Sequence, residues 1–211
     1  KEIANSRTGE YGQLQENEYR LLNPGQLALS NPLDLERDEK FQRLASYGDH
    51  WDDGLASLKN LYHQLTSLKV VSDLALKSDC DVALFLRPDL EYHDSFFIHI
   101  LRALYLGKRP AVFLPRWQSW GGLNDRFAVC RTKRAIKAYG CRLEEALNFC
   151  EEKKCPLHSE SLLRFSLDRS GIPVVTFGLR ASRVRSTGAY ADEAFSTLFQ
   201  RRMKRLKSRI L

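Results

Sequence analysis

At 211 residues, with 43% hydrophobic and 28% charged side chains, the chain has enough apolar surface to bury a core without staples. Its longest apolar runs, residues 82–86 and 111–114, fall far short of the roughly 20 residues needed to cross a bilayer, and residues 1–15 lack the apolar core of a signal peptide. The net charge of +7 is uneven, with Lys and Arg outnumbering Asp and Glu 19 to 8 from Arg126 onward, so the C-terminal half is expected to meet an anion: a nucleotide diphosphate, a nucleic acid or an acidic membrane surface.

Residues 1–50 are polar and broken by Asn23-Pro24-Gly25 and Asn31-Pro32, which predicts an irregular approach segment. From Gly54 to Lys77 the leucines 55, 58, 61, 65, 68 and 74, with Val71, recur every three or four residues, the spacing of one apolar face of a long helix. Residues 82–87 then form a continuous apolar run, expected as a strand buried on both faces and stopped by Pro88. A helix is predicted over residues 95–106 with Asp94 as its N-cap, and a second buried strand over 111–114 after Pro110. Residues 116–126, rich in Trp, Gly and Asn, read as a loop too long to be a mere connector.

Helices are predicted over 131–139 and 142–152, separated by Gly140, and over 159–170, with Ser159 as cap and Gly171 as stop. A strand follows over 173–179 and an extended piece at 183–185. The last expected element is a basic helix over 192–210, its cations gathered at the C-terminal end as the helix dipole favours. Alternating helices and strands predict an α/β fold with a mixed central sheet flanked by helices, organised as one domain over 1–211: approach segment 1–50, sheet-and-helix core 51–190, basic helix 191–211. The five cysteines, at 80, 130, 141, 150 and 155, match no zinc spacing and are expected as reduced thiols.

Four groups of residues carry chemical potential. Asp89 and Glu91 stand two apart just after the first buried strand, so in extended chain both carboxylates would face one side and could share a hard cation, with Arg87 beside them. An ordinary acidic turn with an Arg–Asp pair is the plainer reading. Trp117 and Trp120 offer ring faces suited to a sugar or base. Gly121 and Gly122 allow close backbone approach, and Asn124, Asp125 and Arg126 add an acceptor, a base and a cation, although the tryptophans could equally anchor the loop. His158 and Glu160 open a predicted helix, where His is more often structural and Glu is favoured by the dipole alone. Arg183 and Arg185 would put two guanidinium groups on one face, as a diphosphate requires, or simply sit in solvent.

Their order, Arg-Pro-Asp-Leu at 87–90, Trp-Gly-Gly-Leu-Asn-Asp-Arg-Phe at 120–127, His-Ser-Glu at 158–160 and Arg-x-Arg at 183–185, resembles a family of small GT-A-like glycosyltransferases. The resemblance extends to the opening Glu2-Ile3 and Arg7-Thr-Gly-Glu10 and to residues 60–68. It implies a GT-A-like fold truncated at its N-terminal βα unit, and transfer of a sugar from a nucleotide-sugar donor to a glycan or lipid-linked hydroxyl acceptor. By the same resemblance Mn²⁺ or Mg²⁺ would be held by Asp89, Glu91 and His158, and the diphosphate by Arg87, Asp89, Arg183 and Arg185. Trp117, Trp120, Gly121, Gly122, Asn124 and Arg126 would line the sugar and acceptor side. Asp125, or else Glu160, would be the catalytic base. Asp89, the tryptophan loop and His158 are expected around one cleft. A cytoplasmic enzyme is expected, touching membranes peripherally through its basic helix and binding no nucleic acid. The alternatives are a basic module for nucleic acid or anionic membrane, and an inactive transferase-like interaction domain.

Overall fold

A computed structural model describes residues 2–5, 10–13, 18–29, 31, 33–95, 97–105, 109–185 and 188–195. The chain divides into two compact units, one formed by 1–29, 87–95 and 179–211, the other by 30–86 and 96–178.

The larger unit is α/β. Its sheet has the order β3 (Val82–Leu86), β6 (Phe127–Arg131), β5 (Ala111–Pro115), β7 (Val174–Phe177). β6 runs antiparallel to both its neighbours and β7 runs parallel to β5, so the sheet is mixed. The expected strands at 82–87, 111–114 and 173–179 all join it. β6 was not foreseen: Phe-Ala-Val-Cys-Arg directly follows the polar loop and directly precedes a helix, with no turn residues to set it apart. It is nevertheless a central strand, buried throughout.

Alternation along the strands decides which residues meet which layer. Val112 and Leu114 of β5, Ala128 and Cys130 of β6, and Ala83 and Phe85 of β3 pack with α4 (Lys133–Gly140) and α6 (Ser159–Arg169) through Ile136, Tyr139, Leu163 and Leu167. α3 (Phe97–Tyr105) lies against β5 and β6. A second core forms where α1 (Glu39–Ala45), α2 (Ala56–Lys77) and α5 (Ala146–Lys153) close over α6, with Phe41, Leu44, Leu58, Tyr62, Leu65, Phe149 and Leu162 buried. Each such leucine contributes on the order of 2 kcal/mol of burial. Asp38 caps α1 on the N–H of Phe41 and also accepts the Tyr62 hydroxyl, tying α1 to α2.

The smaller unit contains the hairpin β1 (Glu2–Asn5) and β2 (Glu10–Gln13) and a three-stranded sheet, β4 (Leu90–Tyr92), β8 (Ala181–Val184) and β9 (Tyr190–Phe195). Several expectations are corrected here. Residues 1–50 hold a hairpin, a 3-10 turn at Glu18–Leu22 and α1, elements too short to leave a clear period. The basic helix expected from Asp192 begins instead as β9, whose backbone pairs with β8; its remainder, 196–211, lies outside the described residues. The helix expected over 142–152 is a 3-10 turn, Arg142–Glu145, followed by α5. Gly171 does end α6 in the left-handed region (φ +60°). Among the described residues no helix is long and apolar enough to cross a membrane.

Candidate functional site: a buried acid-base cluster

Six of the expected site residues, Gly122, Asn124, Asp125, Arg126, His158 and Glu160, converge in the larger unit, around the start of α6. The loop leading into β6 is held by its own hydrogen bonds. The Asn124 amide donates to the Trp117 carbonyl (2.7 Å) and its oxygen accepts the Arg126 N–H (3.0 Å). The Leu123 N–H donates to the Glu160 carbonyl at 2.9 Å, and Arg164 Nη2 donates to the Gly122 carbonyl at 2.7 Å. Gly122 lies so close to α6 that a Cβ there would fall 2.0 Å from the Glu160 carbonyl oxygen. Only glycine permits this approach.

The loop thereby sets Asp125 and Arg126 against Glu160. Arg126 Nη1 lies 3.4 Å from Glu160 Oε1 and 4.0 Å from Asp125 Oδ1. Asp125 Oδ2 accepts the Ser159 hydroxyl and lies 3.7 Å from Arg142 Nη2. His158 is the N-cap residue of α6, its backbone extended, which brings Nε2 to 3.3 Å from Glu160 Oε2 while Nδ1 meets the Ser161 hydroxyl at 2.9 Å. Asp125, His158 and Glu160 are all buried. Ser159 is therefore not the cap: as the first helical residue its hydroxyl donates to Asp125. Asp94 does not cap α3 either, since that helix begins at Phe97, and its carboxylate takes the N–H and guanidinium of Arg180.

The electrostatics follow from burial. Loss of solvent, then the Asp125 charge, raises the Glu160 pKa to about 7 against the pull of Arg126 and Arg142. Burial, with the neighbouring His50 ring, lowers that of His158, partly offset by Asp125. The imidazole is thereby held toward its neutral form and the Glu160 carboxyl toward its protonated one.

Several members of this cluster gave no signal in the sequence. Arg142 is fully buried: Nη1 donates to the Tyr139 carbonyl at 2.8 Å and the guanidinium lies over the Tyr139 ring, 4.9 Å from its centroid. Tyr139 in turn donates its hydroxyl to the Asp125 carbonyl at 3.1 Å. His50 stacks on His158 at 4.4 Å, with Trp51 at 6.0 Å from the same imidazole. Asp49 orders that loop by accepting the N–H groups of Trp51, Asp53 and Leu55. An Asp followed by another four residues later, just before a helix, is the local cue for such a turn, but nothing local points it at His158.

The tryptophans have separate roles. Trp117 is 3% exposed and belongs to the core, so it offers no ring face to a ligand; Trp120 is 59% exposed. Gln118 and Trp120 take positive φ (46° and 40°) and Gly121 adopts φ +80°, so the segment presenting the Trp120 ring departs from relaxed backbone. Asn124 is buried with both ends of its amide occupied, which makes it a brace for the loop.

The other expected residues lie in the smaller unit. Asp89 sits in the turn between β3 and β4, not in extended chain, so the alternation expected of Asp89 and Glu91 does not apply. Arg87 grips it with both arms, Nε to Oδ1 and Nη2 to Oδ2, each 2.8 Å. Burial acts to raise the Asp89 pKa, but Arg87 and then Arg183 outweigh it and hold the carboxyl below its usual range. Glu91 accepts the Tyr190 hydroxyl and lies 3.9 Å from His93 Nδ1. The Arg185 N–H closes the β8–β9 turn on the Ala189 carbonyl at 2.8 Å. A divalent cation needs carboxylate oxygens open to it. Both oxygens of Asp89 carry the Arg87 fork, and among the described residues no three His, Cys, Asp or Glu side chains gather as a metal site. As arranged, these residues do not fit the ion.

No family model, curated protein or solved structure matches this chain.

Proposed function

We propose that this chain is a glycosyltransferase in which Glu160 is the base that activates a hydroxyl acceptor. The observation that carries the reading is the pairing of Glu160 with Asp125 across Arg126 in a buried setting, which leaves one carboxyl poised to exchange a proton near neutral pH. In the proposed step Glu160 takes the acceptor O–H proton as the oxygen bonds to the donor's anomeric carbon. The bond from that carbon to the diphosphate breaks, and the diphosphate leaves with the electron pair. Glu160 is reset when that proton passes to water, while the neutral His158, with Nε2 3.3 Å away, orients its carboxyl. Asp125, held by the Ser159 hydroxyl and the Arg142 charge, keeps Arg126 in place and biases the Glu160 proton affinity. The exposed Trp120 and Trp51 rings supply apolar faces of the kind that stack on sugars. The order of motifs along the chain supports sugar transfer over other proton-transfer chemistry.

The test is nucleoside diphosphate release from a panel of nucleotide sugars, with and without Mn²⁺ or Mg²⁺, by the parent chain and by Glu160→Gln and Asp125→Asn. Loss of general-base assistance should lower kcat by about 100-fold or more in Glu160→Gln. Release that proceeds unchanged in both variants removes the assignment.

A further inference from the structure

A second site lies on the larger unit, apart from the acid-base cluster. A groove of about 550 Å³ runs between α4 and α6, with the 3-10 turn at Arg142–Glu145 along its side, and none of its lining residues belongs to that cluster. Its volume is in the range of small-molecule pockets. The chemistry of its walls is cationic. α4 turns Ala135, Ile136, Ala138 and Tyr139 into the core and leaves Lys133, Arg134 and Lys137 outward, and these three line the groove opposite Arg169 of α6.

The two carboxylates in the lining are already engaged. Glu145 lies 3.4 Å from Arg169 Nε and Glu144 lies 3.3 Å from Lys69, which stands outside the groove. Arg134 is fixed by donating to the Ser170 carbonyl. Lys133 and Lys137, one helical turn apart, make no hydrogen bond or ion pair among the described residues. A row of lysines on a convex helix face would be only a solvated surface. Here it borders a concavity, with Leu76 and Ala138 supplying apolar lining and Ser166 a hydroxyl already bonded to the Ala138 carbonyl.

We propose that this groove binds a soluble phosphate or diphosphate ester, its anionic group between Lys133 and Lys137 with Arg134 adding field, and its apolar body against Leu76 and Ala138. Two ammonium groups spaced by one helical turn suit a phosphate as point charges, and the apolar lining favours an ester over a bare ion. The inference does not depend on the transferase reading, since it uses different residues and requires no turnover.

The probe is inorganic pyrophosphate, titrated calorimetrically into the full chain at low salt. Binding should weaken by about tenfold in Lys133→Ala/Lys137→Ala. It should persist in Lys133→Arg/Lys137→Arg, which keeps the charge, and in Lys59→Ala, an exposed lysine outside the groove. All three substituted lysines are exposed, and an unchanged melting temperature without ligand confirms that the variants fold. Added salt should weaken binding in the parent. Absence of binding in the parent, or binding that the double alanine variant leaves intact, overturns the proposal. A parallel sedimentation with phosphatidylcholine vesicles, with and without phosphatidic acid, separates a lipid headgroup from a soluble ester. Vesicle binding that needs Lys133 and Lys137 while pyrophosphate fails to bind also overturns it.

Discussion

Replacing Glu160 by Gln removes a carboxylate charge that burial and the neighbouring Asp125 disfavour. The ordinary glutamate value is 4.5 and the buried one about 7, a gap equivalent to roughly 3 kcal/mol. The sign follows from proton binding. Between these values the folded protein holds a proton that the unfolded chain has released, so the contribution is fully present below pH 4.5 and is lost as pH rises through 7. Gln keeps the shape of the protonated acid, so parent and variant should be about equally stable near pH 4.5. By pH 8 the variant should be the more stable by roughly 3 kcal/mol. Urea unfolding of both proteins at half-unit pH steps from 4.5 to 8 reads this difference directly, and taking the difference cancels the titrations the two proteins share. Parallel stability curves across the window would refute the reasoning, because they would mean that Glu160 is as well solvated in the fold as in the open chain.

Other perturbations reach the same architecture. Gly122→Ala places a methyl group 2.0 Å from the Glu160 carbonyl oxygen and should cost about 2–3 kcal/mol as the loop lifts from α6; a urea midpoint unchanged from the parent would contradict the close approach. Gly140→Ala puts its Cβ 1.8 Å from Ser72 Oγ and 2.5 Å from Ser72 Cβ. It should destabilise by a similar amount, and Ser72→Gly should recover most of the loss in the double variant, measured by thermal melting. Arg142→Met strands the Asp125 carboxylate in the core and should cost about 3–5 kcal/mol. Adding Asp125→Asn should restore a large part of it, and a strictly additive double variant would show that the two groups do not interact.

What the sequence disclosed and what it withheld have physical causes. α2 was legible because six of the seven periodic apolar residues fall within its 22 residues, with Leu55 at its N-cap, and β3, β5 and β7 because Pro, Gly or polar residues bound their apolar runs. β6 had no such punctuation, and α1 spans only 7 residues, too few to show a period. At the site, Asp125, Arg126, His158 and Glu160 could be named from residue type and local order. Their partners Arg142, Tyr139 and His50 come from elements distant in sequence, and a buried arginine beside a cysteine in a helical region looks like any surface arginine. Trp117 and Trp120 read alike in the sequence. Only the turn between them, with its positive φ residues, sends one ring inward and the other outward. Asp89 was legible as an acid at a strand end, but the bidentate grip of Arg87 depends on a turn whose geometry the letters do not specify.

The pH dependence of nucleoside diphosphate release tests most directly whether Glu160 serves as the base. Once a donor that turns over is found, kcat/KM should rise with pH along a limb centred near 7, and that limb should vanish in Glu160→Gln while Glu160→Asp retains it at reduced rate. A limb that survives in Glu160→Gln with the same midpoint would assign the proton transfer to another group and contradict the account.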